Sequence, residues 1–79
     1  MTTFEKIRQI IANQLGVAEE EIASESHLQE DLNADTLSIA DLVVNLEGEF
    51  KIKIPQEETH KFITVGDLVS FVSDQIGDV

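Results

Sequence analysis

Glu30-Asp31-Leu32-Asn33-Ala34-Asp35-Thr36-Leu37 places acids and small polar residues directly ahead of an amphipathic helix. Asp35 stands where an N-cap belongs. Its carboxylate can accept from the free N–H groups of the first turn and suits the positive end of the helix dipole. Beyond it, Ile39, Leu42, Val43, Leu46 and Phe50 fall at i, i+3, i+4, i+7 and i+11. That spacing predicts a helix over 36–50 with this stripe turned to a core. Leu37, Ala40 and Val44 form a second apolar stripe on another side, flanked by Asp41 and Glu47. Two such stripes on one helix of a small domain leave two options: both are buried, or the second meets a partner.

The neighbouring segments are read in the same way. Phe4, Ile7, Ile10, Ile11 and Leu15 predict a helix over 3–15, opened by a Thr2/Glu5 capping box and closed by Gly16. Residues 16–35 form a long connection, with Val17, Ile22, Leu28 and Leu32 as apolar anchors, so it is expected to pack across the helices. Glu19, Glu20 and Glu21 are expected to be a solvated acid run in a short turn. Lys51-Ile52-Lys53-Ile54 alternates like a strand but has no partner strand. It is expected to be extended, with Ile52 or Ile54 turned inward. Pro55 opens a short third helix over 56–61, with Glu57 and Glu58 in its first turn. Thr64 and Asp67 make a second capping box for a fourth helix over 65–76, which buries Val65, Leu68, Val69, Val72 and Ile76 and ends at Gly77. The fold class is all-α, a small four-helix bundle of three main helices and one short one with a long first loop. Up-down and right-angle arrangements both fit the pattern.

A chain of 79 residues reads as one domain, 1–79. Sixteen acids against five Lys and Arg give a net charge of −11. Too few bases remain to neutralise phosphates, which excludes nucleic acid as a partner, and anionic membrane surfaces are disfavoured. Partners with basic patches are favoured, met through steered, salt-sensitive encounters. Without cysteine there is no disulfide and no thiolate metal site. No apolar run approaches a membrane span or a signal segment, and the start reads as that of a mature soluble protein. The expected location is cytoplasmic.

Asp31-Leu32-Asn33-Ala34-Asp35 matches the opening of an EF-hand loop, but Thr36, Ser38 and Leu42 then stand where the turn glycine, an apolar residue and the bidentate acid belong. No metal site is expected beyond weak divalent-ion binding to clustered acids. His27 and His60 have no His or Cys at ligand spacing and are expected on the surface or packed in loops. A domain this small is not expected to enclose the several hundred cubic ångströms of a ligand pocket, which argues against an enzyme and against any catalytic residue. A hydroxyl such as Thr36 in a first helical turn is ordinarily part of the cap.

The order of the motifs adds to this. Leu15-Gly16-Val17 closes the first helix, and Glu30-Asp31-Leu32 precedes Asp35-x-Leu37. Asp41-Leu42-Val43, Leu46-Glu47 and Glu49-Phe50 follow, then Ile54-Pro55, Glu57-Glu58, Lys61 and Thr64-Val65. Almost the whole chain thereby resembles the acyl carrier proteins of dissociated fatty-acid synthesis. The resemblance implies a four-helix domain whose apolar interior shelters a short acyl chain. It implies a phosphopantetheine cofactor, moved from coenzyme A by a carrier-protein synthase to the motif position, here Thr36, and carrying acyl groups as thioesters. It also implies fatty-acid biosynthesis enzymes as partners. Their basic patches would grip Asp35, Leu37, Ala40, Asp41, Val44 and Glu47 of a monomeric carrier.

The chain departs from the family pattern at named positions. Thr36 replaces the motif serine, keeping the hydroxyl but adding a methyl that restricts χ1. Ser38 stands where an acid is usual. Asn33 replaces a common glycine and tolerates positive φ better than most residues. Lys51 and Lys53 fall where acids are frequent. The rival reading is an unmodified acyl-carrier-like interaction domain that binds partners non-covalently through its acidic second helix.

Overall fold

The structure is a computed structural model and describes residues 1–77. Its elements are α1 (Thr3–Leu15), a 3₁₀ turn at Glu19–Glu21, α2 (Thr36–Phe50), a 3₁₀ helix at Gln56–Lys61 and α3 (Val65–Ile76), with no strand among the described residues. This is the expected all-α bundle of three main helices and a short one. α1 packs against both α2 and α3, and Gln56–Lys61 packs against α2.

Each of the three α-helices begins at a side-chain cap. Thr2 Oγ1 accepts from Glu5 N at 3.1 Å, while Glu5 Oε1 accepts from Thr2 N at 2.8 Å. Thr64 and Asp67 repeat the arrangement on α3, with Asp67 Oδ2 also accepting from Ile63 N at 2.9 Å. α1 ends at Gly16 with φ 70°, where its N–H reaches Ala12 O. α2 ends instead on Lys51, a non-glycine residue at φ 56°.

The core gathers Ile7 and Ile11 from α1, Leu42 and Leu46 from α2 and Val65, Leu68 and Val72 from α3, each at most 1% exposed. Val69 is half-buried and Ile76 is 40% exposed, so the buried face of α3 stops short of the expected residue. Ile76 lies one turn beyond Val72, the last buried residue of that helix.

The long connection is structured. Ile22, Leu28, Leu32 and Ala34 are buried, Val17 packs against the core, and backbone bonds from Asp31 N and Leu32 N to His27 O fold the loop on itself. The loop is also stitched to the start of α3. Leu28 N donates to Ile63 O, Val65 N to Ser26 O at 3.0 Å and Gly66 N to Ser24 O at 2.8 Å. A Cβ on Gly66 would meet Ser24 O at 3.1 Å, so glycine lets the two backbones approach without displacing Ser24 by a few tenths of an ångström. The acid run is not simply solvated: Glu19 Oε1 lies 3.5 Å from Arg8 Nε, and Glu21 Oε2 accepts from Ala18 N. Of the two inward options, Ile54 is buried and Ile52 half-buried.

Candidate functional site

Alternation sets the approach to α2. Leu32 and Ala34 are buried, Asn33 and Asp35 are exposed between and after them, and the chain reaches Thr36 with its side chain at the surface. Asn33 takes φ 59°, the left-handed conformation it was expected to tolerate. Asp35 is the N-cap, its Oδ1 accepting from Ser38 N at 2.8 Å. The Ser38 N–H, joined by the Ser38 hydroxyl, holds the Asp35 carboxyl below the usual carboxylate range. Thr36 is the first residue of α2, and no side-chain hydrogen bond involves its hydroxyl among the described residues.

α1 braces this turn from behind. Gln14 Nε2 donates to Ser38 O at 2.8 Å, and Asn45 Nδ2 donates to Gln14 Oε1 at 2.6 Å. Sequence reading missed this clasp, since Gln14 and Asn45 belong to no motif and lie 31 residues apart.

A cleft of about 550 Å³ opens beside Thr36. That overturns the expectation that so short a chain leaves no such space. The cleft lies between α2 and the wall formed by Gln56–Lys61 and the segment that carries Ile54, which Glu47 ties to α2. Ile39 and Val43 of α2, with Ile54 and Phe62, are the buried floor, and Thr36, Ala40, His27, Glu30, His60 and Ile63 are among the rim. Both histidines therefore line the cleft. His27 also pairs with Thr64 in an antiparallel bridge, and its Nδ1 lies 3.5 Å from Asp31 Oδ2.

The second stripe of α2 lies in the open. Leu37 is 70% and Val44 63% exposed, with Ala40 and Asp41 exposed between them. Ile63, which no periodicity singled out, adds another exposed apolar side chain at 53%. Glu47 differs from its neighbours. It is half-buried, and its Oε2 accepts from Ile54 N at 2.8 Å, so it tethers the loop that carries Ile54. The acids ahead of α2 do not converge on one point: Asp31 Oδ2 accepts from His27 N, whereas Asp35 faces Ser38 N.

The family model for the phosphopantetheine attachment site matches residues 5–72. The chain belongs to that family. It is also similar to the solved structure of an acyl carrier protein from Enterococcus faecalis, at 28% identity and a TM-score of 0.77, covering 98% of this chain and 94% of that one. Its prosthetic group is phosphopantetheine, and like other acyl carrier proteins it is a carrier rather than an enzyme. Among the described residues, no helix is long and apolar enough to cross a membrane.

Proposed function

We propose that this chain, as a single carrier domain over 1–79, holds acyl groups on a phosphopantetheine arm attached to Thr36 and presents them to enzymes of fatty-acid synthesis in the cytoplasm. The observation that carries the reading is the position of Thr36: an exposed hydroxyl on the first residue of α2, at the rim of an apolar-floored cleft. These residues fit the group. The Thr36 hydroxyl is exposed, and the cleft begins beside it. When bound, the arm supplies a thiol that carries the acyl group as a thioester.

The chain's own residues position and shelter rather than react. Asp35, next to Thr36, is occupied by Ser38 N, and its lowered pKa makes it a weak base. The proton of the Thr36 hydroxyl must therefore leave to a group on the carrier-protein synthase. Ile39, Val43, Ile54 and Phe62 give an acyl tail a dry floor. Leu37, Ala40 and Val44 offer partner enzymes an apolar ridge beside Asp41 and Asp35, and a net charge of −11 steers basic patches toward it. The carrier works as a monomer. The Glu47 tether makes that residue chiefly a structural member of the set.

A second reading rests on the Thr36 methyl. A displacement of about 1 Å in a reacting atom can cost on the order of a hundredfold in rate. If the methyl stops attachment altogether, the same ridge serves an unmodified interaction domain. Intact mass of the protein from its native host, followed by peptide mapping, separates the two. One added phosphopantetheinyl group on the Thr36 peptide supports the carrier reading, and an unmodified mass in cells with active synthase overturns it.

A further inference from the structure

Phe62 is the one phenylalanine that lines the cleft. It is 5% exposed, and its N–H donates to Thr59 O at 3.3 Å. Behind it stands Phe71 of α3, with ring centroids 5.6 Å apart and planes at 70°. Edge-to-face contact of this kind is a favoured aromatic geometry, and close-packed interiors yield little. Phe71 does not line the cleft, so any effect it has on the cleft passes through Phe62. Phe62 thus lines the cleft together with Ile39 and Val43 of α2 and is braced from α3 by Phe71.

We propose that Phe62, backed by Phe71, is the stop that sets how long an aliphatic acyl chain the cleft accepts. The proposal rests on the acyl-carrier reading above and gives it a substrate class. Benzene fills a cavity of ~150 Å³, about 25 Å³ per carbon. At that density, 550 Å³ would hold on the order of 20 non-hydrogen atoms. Roughly half of the lining residues are polar and stand toward the rim, where the end of the arm must lie. The apolar remainder accommodates a medium chain of about ten carbons. Phe62 is therefore a positioning and selectivity residue, not a catalytic one.

The chain has no cysteine, so Thr36→Cys creates a unique thiol at the cleft mouth. Alkylating it with N-alkyl iodoacetamides of increasing length delivers the tail without a synthase or a native arm. The melting temperature of each adduct should rise with every added carbon and level off near ten carbons, since each methylene buried adds stability until the floor is full. Phe62→Leu removes about three side-chain carbons, so the levelling point should move outward by up to about three. Phe71→Leu leaves the lining intact but removes the brace, and should move it outward by at least one carbon. If Phe62→Leu does not fold, the Phe71→Leu series decides alone. An unchanged levelling point in the folded aromatic variants, or no rise with chain length in Thr36→Cys itself, overturns the proposal. Because the tether is cysteine, failure of Thr36 to receive its arm in cells would appear in the intact mass and leave this result untouched.

Discussion

Truncating Glu47 should damage the fold, although its place in the sequence is that of a surface acid on a recognition helix. Its carboxylate accepts the Ile54 N–H at 2.8 Å, and Ile54 is only 6% exposed. Between the two, the chain leaves α2 through Lys51 at φ 56°, so the Glu47 bond closes a short loop around a left-handed residue. Glu47→Ala strands a backbone donor next to the core. Hydrogen bonds to charged groups contribute about 1.5–3 kcal/mol. Glu47 is only half-buried and its charge adds to a net −11, both of which favour the lower half of that range, about 1.5–2 kcal/mol. For a domain of this size that corresponds to a fall in melting temperature of roughly 10 °C. Glu47→Gln keeps an acceptor and should recover most of the loss. Asp41→Ala, exposed on the same helix, should stay within about 0.5 kcal/mol of the parent. Thermal and urea unfolding followed by circular dichroism measure all three. If Glu47→Ala melts with Asp41→Ala, the tether contributes nothing to stability and the reasoning fails.

Other expectations follow from the site and the caps. Thr36→Ser should speed phosphopantetheine transfer by a promiscuous carrier-protein synthase at least tenfold, on the order expected from relieving crowding at an in-line site; equal initial rates by mass spectrometry would remove the methyl as the limiting feature. Asp41→Lys should weaken synthase binding and flatten its salt dependence with melting almost unchanged, because an exposed charge contributes little to stability but much to steering; unaltered affinity by calorimetry would rule out this face of α2 as the docking site. Asp67 is held below the usual carboxylate range by the N–H groups of Thr64 and Ile63, and Asp35 and Glu5 are lowered in the same way by Ser38 and Thr2. A folded-state pKa lowered in this sense stabilises above the ordinary carboxylate value of about 4 and is lost as pH falls through the depressed value. Melting temperature should therefore drop below about pH 4, and Asp67→Asn should make that drop shallower; an identical acid limb would show that this cap does not titrate with unfolding. The excess of acids should also make melting temperature rise with sodium chloride, and more per mole with magnesium or calcium; indifference to salt in a melting series would mean that the acids are already well dispersed.

Local features were legible in the residues because they depend on neighbours a few positions apart. Asp35 ahead of the 36–50 periodicity, the Thr2/Glu5 and Thr64/Asp67 boxes and the glycines after α1 and α3 involve hydrogen bonds that span three to five residues, so spacing determines them. The same periodicity identified both stripes of α2, and the motif order around Thr36 pointed to the family. Periodicity also names a face without saying how far along the helix that face stays covered, which is why Ile76 was placed in the core and lies 40% exposed.

The tertiary structure decided whatever depends on which segments meet. Nothing in the spacing of Glu47 and Ile54, of Gln14 and Asn45, or of Phe62 and Phe71 marks them as partners, and their pairing required the helices to be placed. The cleft is the clearest case. Its floor draws two residues from α2, one from the 51–55 segment and Phe62 from just after Gln56–Lys61, and its volume is the space between those pieces. Composition and length bound how much a chain can bury, but not where the packing stops, because voids belong to the arrangement of elements and not to any one of them.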